Sequence, residues 1–263
     1  MKNIIKSIIY ELTKSRVMMI LFFLIAAANI LVTILNIAEN TFHEATTSAM
    51  LSEAKSITFL FAAFFVIATV GIISGSDFKD KVANYELMSG HSRIQVYLAR
   101  SIFSVFFAAL TGTVLSFIPL ISGNIIFGFG GRLVLGDVIL RTFLYFFPFL
   151  RLAAFAVILT FIVKNQYAVM GIGYGIITIN TLLSITVSDH ENLLTSNFNL
   201  NLLADYDGWS VYNISKTDGI VNYACYDSSL SIENVIGTIL ISIAVMAIYL
   251  VIGYGLFRRD DLS

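Results

Sequence analysis

Six long apolar stretches separated by charged connections organise this chain: Val17–Ile37, Ile57–Ser74, Ser101–Ile126, Val138–Val163, Tyr167–Val187 and Val235–Phe257. Crossing the ~30 Å hydrocarbon core of a bilayer takes about 20 residues of helix, and each stretch meets or approaches that length. A barrel strand would alternate apolar and polar residues over about 10 positions. Ile20–Ala28 and Phe59–Val70 are instead apolar on every side. Without water at membrane depth a spanning backbone must satisfy its own hydrogen bonds, and a helix does so within one segment. The pattern predicts an all-α polytopic membrane protein with six transmembrane helices. Ahead of them, Ile4, Ile5, Ile8, Ile9 and Leu12 share a helical face, with Lys2, Lys6 and Lys14 largely off it. Residues 1–16 therefore read as an amphipathic helix at the membrane interface, its basic residues towards anionic headgroups.

Composition agrees and adds an orientation. Of 263 residues, 57% are hydrophobic and only 13% charged, with a mean hydropathy of +0.85, well outside the range of soluble domains. Segments 1–16, 75–100, 164–166 and 258–263 hold eleven lysines and arginines, and the opposite segments hold three: Lys55, Arg132 and Lys216. By the positive-inside rule both termini face the cytoplasm. A net charge of −1 gives no case for a nucleic-acid partner, and Cys225 alone cannot form an internal disulfide. His43, His91 and His190 lack metal-ligand spacing, so no metal site is expected. Ala26-Ala27-Ala28 mimics a signal cleavage site, but the apolar run outlasts a signal h-region, and the first helix is expected to be retained.

The domain plan is then an interfacial helix (1–16), a six-helix transmembrane domain (17–257) and a short cytoplasmic tail (258–263). Two connections stand out. Residues 75–100 are cytoplasmic, highly charged and divided by Ser89-Gly90-His91-Ser92. Gly90 suits a turn and Ser92 a helix N-cap, which predicts a short helix over about 77–88, a turn, and a helix leading into the third span. Residues 188–233 form the longest outer segment, and their Asn, Asp and Ser content predicts turns and short helices. Lys164-Asn165-Gln166 leaves almost no loop, so the fourth and fifth spans are antiparallel neighbours.

Enzymatic signatures are missing. The chain has no G-x-x-x-x-G-K-[ST] phosphate loop, no H-E-x-x-H helix and no G-x-S-x-G elbow. Inside the spans the main anomaly is Arg151, three residues after Pro148. Arginine at membrane depth costs at least ~2.5 kcal/mol on insertion scales. It is either a polar contact in a path or subunit seam, or an inward packing or snorkelling residue beside a kink. Arg141, nearer the outer boundary, is expected to snorkel. Asn29, Asn36, Asn124 and Asn180 are polar groups near span cores or ends that could line a path. Gly71-x-x-x-Gly75 and Gly171-x-x-x-Gly175 are small-residue pairs that permit close helix packing.

Taken together, the chain resembles the membrane-spanning permease subunit of ABC-2 type transporters, similar to small peptide-immunity and drug-efflux permeases. The likeness rests on the amphipathic N-terminal helix, and on Tyr85-Glu86-Leu87-Met88, Gly90, Ser92-Arg93 and Tyr97-Leu98-Ala99-Arg100 after the second span. The ending Tyr254-Gly255-Leu256-Phe257-Arg258-Arg259-Asp260-Asp261 matches as well. The resemblance implies a non-catalytic permease in a bacterial cytoplasmic membrane. Two permease subunits, identical or related, would form the path, and separate ATPase subunits would carry the ATP and Mg. It also implies that Glu86, Gly90 and Arg93 contact the ATPase, with an amphipathic peptide or lipophilic compound exported. The alternative is an ion-gradient-driven secondary transporter or channel, which usually shows ionisable groups near the midplane. No Asp or Glu falls clearly mid-span here.

Overall fold

A computed structural model describes residues 2–39, 46–47, 57–80, 87–130, 135–186, 214–217, 220–223 and 232–259. It is helical apart from one hairpin. In order come α1 (Lys2–Lys14), α2 (Arg16–Glu39), α3 (Ile57–Asp80), α4 (Arg93–Phe127), α5 (Leu135–Leu144), α6 (Phe146–Val163) and α7 (Gln166–Thr186), then β1 (Ile214–Thr217), β2 (Ile220–Tyr223) and α8 (Ile232–Arg259). Among the described residues four helical segments are long and apolar enough to cross a membrane: Arg16–Leu35, Arg93–Phe127, Val138–Val163 and Val235–Arg259. Shorter apolar stretches run along α3 and α7, over Phe61–Gly75 and Gln166–Ile179. Large apolar side chains lie exposed along the outer helices, among them Phe23 and Leu24 on α2 and Leu240 and Val251 on α8. Exposed apolar surface on this scale is unfavourable in water and natural in lipid. The chain is a helical membrane protein.

The helices pack around a centre made by α3, α4 and α6. Helix α2 lies against α3 and α4, α7 against α3, and α8 along α6. Gly112 of α4 sits at that centre, where an added Cβ would run into Val66 of α3 and the ring of Phe149 of α6. The absence of a side chain there lets three backbones approach one another.

Three local features depart from the expectations above. The short helix expected over about 77–88 does not begin near residue 77, because α3 runs unbroken through Asp80; residues 81–86 lie outside the described residues. No proline interrupts Ser74–Asp80, and Gly75, a weak helix former, is retained where α3 meets α7. The fourth apolar stretch is split at Tyr145 into α5 and α6. A proline ring clashes with the carbonyl four residues back, and for Pro148 that residue is Leu144, where α5 ends. Within 188–233 the described backbone includes an antiparallel hairpin, Ile214 opposite Tyr223 and Thr217 opposite Ile220, where only turns and short helices were expected. Its strands are rich in β-branched residues, and the sequence between them is Asp218-Gly219, a strong two-residue hairpin signal.

Candidate functional site

The basic ends of the helices converge on one small structure. Gly90 has φ +91°, a conformation that glycine adopts without strain, and its N–H donates to the Leu87 carbonyl at 3.1 Å. Two residues on, Ser92 starts α4 with a capping box. Gln95 N–H donates to Ser92 Oγ at 3.4 Å, and Ser92 N–H donates to Gln95 Oε1 at 3.3 Å. Two otherwise unsatisfied donors are thus paired reciprocally. The box starts α4 at Arg93, eight residues before the apolar stretch begins.

The first turns of α4 are tied to the end of α8. Arg93 Nη1 donates to the Arg258 carbonyl at 3.3 Å, and the Tyr97 hydroxyl donates to the Leu250 carbonyl at 2.6 Å. The Tyr97 ring lies 5.7 Å from Phe161, 5.4 Å from Tyr254 and 5.6 Å from Phe257, so α4, α6 and α8 share one aromatic cluster. Gly253 is the space that admits Tyr97, since a Cβ there would lie 2.6 Å from the hydroxyl. On the other side, Ser74 Oγ of α3 donates to Ser104 Oγ of α4 at 3.3 Å. Helices on both sides of the 75–100 segment are therefore joined.

Of the sequence-predicted coupling residues, Gly90 and Arg93 are both exposed at this turn and cap, and Glu86 lies outside the described residues. Arg151 is buried at 2% exposure on the α6 face that meets α8. It lies within electrostatic reach of Tyr249, whose ring is 5.9 Å from Phe155, one turn further along α6. Arg151 therefore points inward and does not snorkel. Arg141 does not snorkel: it is 1% exposed, because its side of α5 turns towards the bundle. The side chain of Asn180, in α7, is outside the description, as is that of Asn36; Asn124 is exposed. Asn29 is fully buried in α2, and among the described residues neither its Oδ1 nor its Nδ2 has a hydrogen-bond partner.

The glycine pairs divide. Gly71 and Gly75 face the start of α7, where added Cβ atoms would lie 3.2 Å from the Gln166 carbonyl oxygen and 2.9 Å from Gln166 Cβ. Gly171 and Gly175 make no such approach and have open space around them. The close contact on α7 is at Gly173, against Ile67 of α3. Residues 171 and 175 share a helical face and 173 lies about 200° round the helix, so only one of the two faces can meet α3. Gly112, Gly253 and Tyr97 carry the packing that the sequence reading missed. The tyrosine sits in a segment that reading had marked, whereas a lone glycine in an apolar run signals nothing about the helix opposite it. Comparison with protein-family models and with curated proteins gives no match for this chain.

Proposed function

We propose that this chain is the permease subunit of an ATP-driven ABC-2 type exporter in a bacterial cytoplasmic membrane. In this reading the six apolar helices α2, α3, α4, α5–α6, α7 and α8 all span, both termini face the cytoplasm, and α1 lies at the inner interface. A separate ATPase binds beneath residues 75–100, and a second permease subunit completes the path for an amphipathic peptide or lipophilic compound.

The observation that carries the proposal is the construction of the basic end. A loop that merely connects two spans has no need of a glycine turn, a complete capping box and bonds to a distant helix. Here the turn at Gly90 is followed directly by a capped helix whose first residues hold α8 through Arg93 and Tyr97. A push on the turn moves α4, and α8 follows. Arg93 and Gly90 offer an exposed charge and a turn to a docking groove, and Glu86 stands beside them in sequence.

The test is purification of the tagged chain from its native membrane. An ATP-hydrolysing protein should co-elute, and Glu86→Lys or Arg93→Glu should abolish substrate-stimulated ATP turnover while membrane insertion survives. Transport by the purified chain with no ATPase present would refute the reading.

A further inference from the structure

A cavity of about 560 Å³ opens beside the α1–α2 corner, within the range of about 300–1,000 Å³ that small ligands occupy. Its walls include Leu12 of α1, Met18 and Phe22 of α2, Phe65 of α3, and Phe103 and Phe107 of α4. Among the described residues the one polar side chain in the wall is Thr111, whose hydroxyl is spent on the Phe107 and Ala108 carbonyls at 2.8 and 3.0 Å. None of the described wall residues offers a polar group to an occupant, so the buried part of that occupant is hydrocarbon.

The chain between two of these wall residues has a different chemistry. Leu12 and Met18 both line the cavity, and the three middle residues between them in sequence are Lys14, Ser15 and Arg16, with both cations exposed. Lys14 Nζ stands 5.8 Å from the centre of the Tyr10 ring. Over residues 2–16 the bases Lys2, Lys6, Lys14 and Arg16 outnumber the single acid Glu11. Phe23, a wall residue of α2, is 68% exposed, so the cavity is open on the outward side of α2.

We infer that this cavity is a binding site for one acyl chain of an anionic glycerophospholipid, with its phosphate held at Lys14 and Arg16. The apolar wall takes the chain, and the basic corner selects the charge. This rests on the membrane location of the protein and not on the exporter reading, so either can fail without the other.

Native mass spectrometry of the full chain, released from micelles holding equal dioleoyl phosphatidylglycerol and phosphatidylcholine, reads the site directly. One phosphatidylglycerol per chain should be retained in preference. The pair Lys14→Glu and Arg16→Glu should lower that retention by about tenfold or more, as two near-surface cations warrant, and leave phosphatidylcholine unchanged. Thr111→Phe and, separately, Phe107→Trp fill the cavity and should lower retention of both lipids; circular dichroism selects the variants that fold. Equal retention of the two lipids by the unaltered chain, or retention indifferent to both filled variants, would overturn the assignment. A dimer mass that the filled variants abolish would overturn it in favour of a second copy of the chain.

Discussion

Helices α6 and α8 are both strongly apolar, yet α6 is central and α8 peripheral. In the most apolar window of the α5–α6 stretch 67% of the residues are buried; in that of α8 only 11% are. Apolarity does not sort them, because lipid is as good a solvent for leucine as a protein interior. The sorting comes from size and polarity. Helix α6 carries Ala153, Ala154 and Ala156, all fully buried, with Arg151 one turn from Phe155. Helix α8 presents Ile236, Leu240, Ile248 and Val251 outward and meets the bundle along one side, against α6. Small residues allow close approach and a buried guanidinium requires a protein surrounding; bulky aliphatic residues tolerate lipid on the face they present to it.

That contrast can be broken most severely at the centre. Gly112→Leu forces a side chain into Val66 and Phe149 and should cost about 3 kcal/mol or more, as severe overpacking does. Thermal unfolding in detergent should show a large fall in midpoint or no folded protein at all. Next comes Ile248→Arg, which places on the exposed face of α8 the residue type that α6 buries. It should lower insertion by about 2.5–3.5 kcal/mol, measured as the inserted fraction in a glycosylation-reporter assay, whereas Arg151 is accommodated because protein surrounds it.

Smaller effects belong to the periphery. Tyr97→Phe keeps the ring cluster and removes the hydroxyl donated to Leu250 at 2.6 Å. It should cost about 1 kcal/mol, the usual net value of one hydrogen bond, and should speed amide exchange near the end of α8 more than in α6. Val251→Leu, at 72% exposure, should change stability by less than about 0.5 kcal/mol. A large loss there would mean that α8 packs against something other than lipid.

The sequence and the structure agree best where lipid is the constraint. The start of α2 at Arg16 against an expected Val17, and the end of α6 at Val163, follow from where apolar runs meet charge. The turn at Gly90 and the cap at Ser92 were legible because their chemistry is local. The break at Tyr145 was within reach through Pro148, and the hairpin through Asp218-Gly219. What was not legible is rotation about each helix axis. The distance of Arg141 from the boundary says nothing about whether it faces lipid or α6, and Gly171 and Gly175 were as plausible a seam as Gly173. Gly112 takes its meaning from Val66 and Phe149, residues tens of positions away. Such contacts belong to pairs of helices, and one helix cannot announce them.

In the proposed exporter α3 and α4 move as one body that receives force at the turn between them and carries α8 along. Ser74 and Ser104, with hydroxyls 3.3 Å apart, offer a direct test outside the proposed ATPase contact. In a Cys225→Ser background, Ser74→Cys and Ser104→Cys should form a reversible disulfide in the co-eluted complex. The account predicts the same ATP-driven transport rate with that bond oxidised or reduced. Transport that stops on oxidation and resumes on reduction would show that α3 and α4 must part, contradicting the account.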